Sequence, residues 1–291
     1  MGEQYGAQAM AGRLRRVVMR RPDEAMANAD PAVWHYAAPV DFEAARAAHD
    51  AFAEALRTWG VEVLYHDEPL PGLSDSVFVC DPALVTDRGT LLLSMGKSLR
   101  RGEEEPLGRS LERYGVPLFG RLEGEARAEG GDILWLDHET LAVGLGFRTN
   151  PEGVRQLREL LAPLGVTVLD YDLPYFTGPD ACLHLRSFVS PVAADLAVAY
   201  LPLMPTALWL ELKRRGVRLL EAPEEEFLHT QATNILAVAP RRCIMLEGSP
   251  VTRRLLEEAG CEVVTFPGEP LSFKTEGGPT CLTQPVLFDS E

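Results

Sequence analysis

The stretch Thr58-Trp59-Gly60-Val61-Glu62-Val63-Leu64 reads as the end of a helix, a glycine and the start of an apolar strand. The same phrase returns as Arg113-Tyr114-Gly115-Val116-Pro117-Leu118-Phe119 and as Pro163-Leu164-Gly165-Val166-Thr167-Val168-Leu169. It appears twice more, as Arg214-Arg215-Gly216-Val217-Arg218-Leu219-Leu220 and Glu258-Ala259-Gly260-Cys261-Glu262-Val263-Val264. The five glycines are separated by 55, 50, 51 and 44 residues. Glycine just past a helix supplies the left-handed conformation of the C′ cap, which a Cβ disfavours. A period near 50 residues, repeated five times, is the mark of a propeller-like array.

Working outward, Asn150-Pro151 and Ser249-Pro250 each place a capping side chain before a proline at the first helical position. Asp41 stands before a helix that carries Ala44, Ala48, Phe52 and Leu56 on one face. Hairpins are expected between each strand and the next helix. Val77-Phe78-Val79 would pair with residues 90–94 across Thr86-Asp87-Arg88-Gly89, and residues 132–136 with 140–144. Residues 183–189 would lead to 196–201, and 234–239 to 243–247. The fifth hairpin would join residues 281–288 to 14–19, closing the ring with both chain ends. Each module then reads strand, strand, helix, strand. Such modules cannot bury their faces alone, so residues 1–291 are expected to form one α/β domain around a pseudo-fivefold axis.

Composition narrows the function. Of 291 residues, 46% are hydrophobic, ample for a packed core, and the formal charge of −15 would repel nucleic acid and anionic membranes. No apolar run approaches the ~20 residues needed to span a bilayer, and the first dozen residues lack a signal-peptide core. Five widely spaced cysteines, Cys80, Cys182, Cys243, Cys261 and Cys281, are odd in number and suggest reduced thiols in a cytoplasmic protein. No CxxC or HxxxH spacing suggests a metal site.

The entries to the five hairpins carry Asp75-Ser76, Glu129-Gly130-Gly131-Asp132, Cys182-Leu183-His184, Thr233-Asn234 and Thr280-Cys281. Equivalent positions of a cyclic repeat converge on the axis, so carboxylates, an imidazole and a thiol should share one cavity. By itself Cys281, after the turn Gly277-Gly278-Pro279, reads as a small buried hydrophobe. Beside an imidazole it can instead exist as a thiolate, an activated nucleophile. An acid-lined site with a thiolate suits a guanidinium carbon, whose planar N–H fork donates to carboxylates in bidentate pairs.

These residues resemble the dimethylarginine dimethylaminohydrolase family of the guanidine-modifying, or pentein, superfamily. The resemblance covers essentially the whole chain. It is carried by Asp75-Ser76-Val77-Phe78-Val79-Cys80-Asp81, Leu99-Arg100-Arg101-Gly102-Glu103, Glu129-Gly130-Gly131-Asp132, Phe147-Arg148-Thr149-Asn150, Leu183-His184-Leu185 and Cys281. It implies a five-bladed pentein α/β-propeller of ββαβ modules. It makes Cys281 the nucleophile, His184 the acid/base and Glu129 the carboxylate that orients His184. Asp81 would hold the guanidinium and Asp75 the substrate α-ammonium, while Arg100 and Arg148 would clamp the α-carboxylate. The implied reaction passes through a thiouronium on sulfur to a citrulline-type ureido product and uses no cofactor or metal. The small-molecule guanidine is the one partner required, and a homodimer is compatible with the fold.

One position departs from the family: Cys80 stands where a glutamate is usual, which removes an acceptor near the guanidinium and leaves the substrate's N-substituents open. Arginine deimination and amidino transfer to an amine are the alternatives within the same chemistry. A non-catalytic binding role, known for the same propeller in a ribosome anti-association factor, is disfavoured by the presence of both His184 and Cys281. A metal-dependent hydrolase is disfavoured by the lack of clustered ligands.

Cys80 reads as a wall residue, and Cys182, Cys243 and Cys261 as core. The remaining histidines read as surface or structural residues. Arg101 is the substitute for Arg100 if the register slips by one. Glu103-Glu104-Glu105 and Glu224-Glu225-Glu226 read as solvated faces. Residues 22–39 form a long connection, either a lid over the cavity or a loop anchored by Trp34.

Overall fold

The computed structural model describes residues 4–289. Its strands fall into five three-stranded sheets. The first in chain order combines β1 (Leu14–Met19), β2 (Glu62–Tyr65) and β15 (Gln284–Phe288). The next two hold β3 (Ala83–Thr86), β4 (Gly89–Leu92) and β5 (Leu118–Arg121), then β6 (Ile133–Asp137), β7 (Thr140–Leu145) and β8 (Thr167–Asp172). The last two hold β9 (Val189–Ala193), β10 (Leu196–Ala199) and β11 (Arg218–Glu221), then β12 (Leu236–Ala239), β13 (Arg242–Leu246) and β14 (Glu262–Phe266).

All five sheets share one pattern: the middle strand pairs antiparallel with its hairpin partner and parallel with the strand that follows the helix. A parallel neighbour needs a crossover, and a helix supplies it. These helices span Phe42–Thr58, Glu104–Arg113, Pro151–Leu161, Thr206–Arg214 and Pro250–Glu258. The capping glycines 60, 115, 165, 216 and 260 all have φ between 74° and 84°, as the left-handed cap demands. Both chain ends meet in the first sheet, where β1 pairs with β15, so the ring closes as expected.

The helices lie along the seams between blades. Helix Phe42–Thr58 packs on both β2 and β14, and its Phe52 stacks on Phe266 with ring centroids 4.6 Å apart. The middle strands are covered on both faces, so Val17, Val18 and Met19 are fully buried, as are Leu91, Val198 and Ile244. Asp41 and Asn150 cap their helices, accepting from Ala44 N and Gly153 N.

Four expectations are corrected. Residues 77–79 are not a strand: Ser74–Val77 forms a 3-10 turn, and the hairpin starts at Ala83. Likewise Leu185–Ser187 is a 3-10 turn, and the third hairpin starts at Val189. Ser249 does not cap its helix; its hydroxyl meets Thr230 Oγ1, and Glu226 instead accepts from Val251 N at 2.7 Å and Thr252 N at 2.9 Å. The acidic runs are not uniformly solvated, because Glu226 and Glu103 are both buried. Among the described residues no helix is long and apolar enough to cross a membrane.

Candidate active site

The apolar stretches misread as strands have a positional use. One-turn 3-10 elements, Ser74–Val77, Gly130–Asp132 and Leu185–Ser187, enter three of the hairpins and turn their polar residues toward the axis. The fourth and fifth entries are turns around Asn234 and Cys281. This brings Asp75, Asp81, His184, Asn234 and Cys281 to the walls of two adjoining cavities, with His184 and Cys281 shared by both and Glu129 fully buried behind His184.

His184 is buried, and its Nε2 lies 2.8 Å from Glu129 Oε2. Glu129 also accepts from Lys97 N at 2.9 Å and Arg148 Nη1 at 3.2 Å. Burial opposes its ionisation, but the hydrogen bond and charge of His184, with Arg148 beyond, hold the carboxyl well below its usual range. Burial also opposes charge on His184. Cys182, Asp132 and Glu129 together reverse that and raise the imidazole well above its ordinary value. The pair is therefore imidazolium and carboxylate at neutral pH.

The sulfur nearest the imidazole is not the one expected. Cys182 Sγ lies 3.7 Å from His184 Nδ1. Cys182 is only half-buried and borders both cavities, which corrects its reading as core. Cys243 and Cys261 are buried as expected. Cys281 is held separately: Asn234 Nδ2 donates to its Sγ at 3.3 Å, and the Thr280 hydroxyl stands 3.9 Å away. Asn234 is itself fixed by accepting from Thr280 N and Oγ1 at 3.0 and 2.8 Å. The neighbouring Cys80 thiol outweighs burial, and with Asn234 and Arg186 it lowers Cys281 to about 6. Cys80 itself is raised well above the ordinary thiol value, first by Cys281 and then by burial, so it stays a thiol, and its Sγ donates to Asp81 Oδ1 at 3.4 Å.

Asp81 is buried. Its Oδ1 accepts from Gly131 N at 2.8 Å and its Oδ2 from Arg100 Nη1 at 2.6 Å. Burial alone would raise this carboxyl; Arg100 and His184 lower it. Arg100 is not the free clamp that was expected. Its guanidinium is buried and held by Glu103 at 2.7 Å, by Asp81 and by the Phe78 carbonyl. Asp75 is not free either, since Lys97 Nζ stands at 2.6 Å and Tyr36 Oη at 2.8 Å. Arg148 is nearer to expectation: beyond its Glu129 contact it borders the inner cavity. Arg101 is exposed and lines neither cavity.

Lys97 and Tyr36 were missed by the sequence reading. Residues 22–39 carry two short helices, Glu24–Ala27 and Pro31–Trp34. The segment is anchored by buried Trp34 and Tyr36 and by Ala37 N donating to Lys274 O at 2.8 Å. Trp34 and His35 cover the inner cavity.

Asp81, Glu129 and His184 offer ligand atoms within 4.8 Å of one another. Both carboxylates already face Arg100 and Arg148, and those fixed cations oppose a dication at the same place.

The family model for eukaryotic N,N dimethylarginine dimethylhydrolases matches residues 22–287. The dimethylarginine dimethylaminohydrolase of Streptomyces coelicolor is 31% identical over 92% of this chain and 96% of its own. The arginine deiminase of Listeria welshimeri is 28% identical over 77% of this chain and 63% of its own. Among solved structures, a mutant of the Pseudomonas aeruginosa dimethylarginine dimethylaminohydrolase complexed with citrulline matches with a TM-score of 0.77. It is 25% identical over 94% of this chain and 99% of that one. The shared five-module fold and these relatives agree: the chain belongs to the dimethylarginine dimethylaminohydrolase family, guanidine-modifying C–N hydrolases built on the five-bladed α/β-propeller.

Proposed function

We propose that the chain hydrolyses the guanidinium group of arginine or an N-methylated arginine, with Cys281 as nucleophile, His184 as acid and base, and Glu129 as the residue that orients His184. The observation that carries this reading is that Cys281, held by Asn234, and His184, held by Glu129, border the same two cavities, with the thiol lowered to about 6 and the imidazole raised well above its usual value. A thiolate and an imidazolium are the forms that attack and protonation require.

Cys281 attacks the guanidinium carbon, and the C–N bond to the leaving nitrogen breaks as His184 gives that nitrogen a proton. Water, deprotonated by His184, then opens the thiouronium to a ureido product and frees the thiol. Asn234 supports the thiolate, and Asp81 offers the carboxylate for the guanidinium. The inner cavity has Asp75, Lys97 and Arg148 on its walls, charges that suit the amino-acid end, but at about 30 Å³ it must widen to admit it. Two residues take roles other than those expected. Arg100 serves to fix Asp81, and Asp75 must exchange Lys97 for the substrate ammonium, which leaves Lys97 and Arg148 to face the carboxylate. Relatives named arginine deiminases keep free arginine in play as substrate.

The test is turnover of arginine and of mono- and dimethylated arginine, followed by ureido product and by mass of the Cys281 peptide. Cys281→Ala should lose at least about 10³-fold in kcat, as loss of a nucleophile does. Retention of activity by Cys281→Ala refutes the covalent route.

A further inference from the structure

The cavity on the other side of Cys281 is far larger, about 370 Å³. That lies in the range of small-molecule sites, and at ~30 Å³ per water it is room for on the order of a dozen water-sized volumes. Two N-methyl groups would leave most of it unfilled. Phe227, Leu228 and Phe273 give it an apolar wall, and Arg186 gives it a cation.

Arg186 is what this wall leaves unexplained. It is 8% exposed, yet among the described residues no carboxylate stands within ion-pair distance of its guanidinium and no acceptor takes its N–H groups. The two other buried arginines beside the site are paired, Arg100 with Asp81 and Glu103, Arg148 with Glu129. The Cys281 thiolate shares the field of Arg186, but no carboxylate fills its five donors, which are shaped for one. Cys80, where a carboxylate is usual in the family, borders the same cavity and stays neutral, so it brings Arg186 no carboxylate. Glu276 also borders the cavity, but its carboxylate is turned to the Cys182 N–H.

Resting on the proposed guanidine hydrolysis, we infer that this outer cavity receives an Nω-substituent of the substrate that ends in a carboxylate, with Arg186 as its counter-ion and the phenylalanine wall packing its alkyl stem. The atoms balance as in the simpler reaction. Cys281 Sγ bonds to the guanidinium carbon, and the bond from that carbon to the substituted nitrogen breaks. That nitrogen keeps the electron pair, takes the proton from His184 and leaves as an amino acid. Water then releases the ureido product and restores the thiol.

The experiment compares arginines whose Nω carries two methyl groups, a 2-carboxyethyl group or the isosteric neutral 2-carbamoylethyl group, following ureido product and released amine. The wild type should favour carboxyethyl over carbamoylethyl by at least about tenfold in kcat/KM. Arg186→Gln should erase that ratio, and Arg186→Lys should keep part of it. Equal rates for the two isosteres in the wild type, with the dimethylated substrate still hydrolysed, overturn the inference and leave the hydrolase reading intact. Arg186→Gln slowing both isosteres by the same factor also overturns it, because Arg186 then serves only the thiolate. If no arginine in the panel gives a ureido product, the hydrolase reading itself fails and this inference falls with it. The wild-type comparison needs no variant, so a misfolded Arg186→Gln leaves the question decided.

Discussion

Cys281 draws its reactivity from neighbours that are themselves neutral or distant. With the thiol at about 6, the nucleophile is mostly thiolate at neutral pH, and His184 remains protonated there. Loss of the thiolate on acidification should therefore make kcat/KM fall about tenfold per pH unit below pH 6. The neighbouring Cys80 thiol is the largest contribution to the lowered value. Cys80→Ala should move this acid limb upward toward the ordinary thiol range, reducing activity at pH 6 more than at pH 8. Cys80→Ser, which keeps an O–H donor, should hold the limb near its place. A limb that stays put in Cys80→Ala assigns the low value to Asn234 and Arg186 instead, and the pH dependence of Cys281 alkylation gives an independent reading. At this scale the sequence was legible where a residue type is rare at the axis, as for His184 and Cys281. It was illegible where partners come from other blades. Lys97 and Tyr36 reach Asp75 from separate segments, and no spacing encodes that. Cys182 was within reach: it sits two residues before His184 in extended chain, where alternate side chains share a face.

The recurring entry turns explain why the site tolerates little change in its elements. A Cβ added at Gly131 would stand 2.3 Å from His184 Nδ1, with backbone on the other side of the residue holding Asp81. Gly131→Ala should therefore push the imidazole off Glu129 and cost on the order of 10²-fold in kcat, the scale of an ångström's misplacement. Wild-type turnover with unchanged His184 titration by NMR would mean that the turn relaxes instead. Away from the axis, Glu226 does for helix Pro250–Glu258 what Ser249 was expected to do, satisfying Val251 N, Thr252 N and the Thr252 hydroxyl. Glu226→Ala leaves those donors unpaired and should cost about 1–3 kcal/mol, read as a lower Tm with kcat retained. The helix and its proline were visible in the sequence; the cap was not, because it comes from the preceding blade. The hairpins were misplaced for a related reason. Val77-Phe78-Val79 is apolar and β-branched like a strand, but it is buried around the site and joins the turn to β3.

At the scale of the molecule, the repeat was the most legible feature because glycine caps are local in sequence and recur at every blade. What they cannot announce is the closing contact, β1 on β15, which spans nearly the whole chain. We propose that residues 1–291 fold as a single domain whose cooperativity depends on that sheet. Blades share cores across their seams: one buried cluster takes in Val17, Phe52, Leu111, Ile244 and Phe288, drawn from three sheets and their helices. No blade could leave without exposing its neighbours' faces. Calorimetry should then give one unfolding transition with equal van't Hoff and calorimetric enthalpies. Ending the chain after Thr283, which retains Cys281 but removes β15, should abolish that transition and not merely lower it. Two resolved transitions in the full chain, or a truncated chain that still melts cooperatively, would show that the blades are stable in smaller groups and that ring closure serves the site alone.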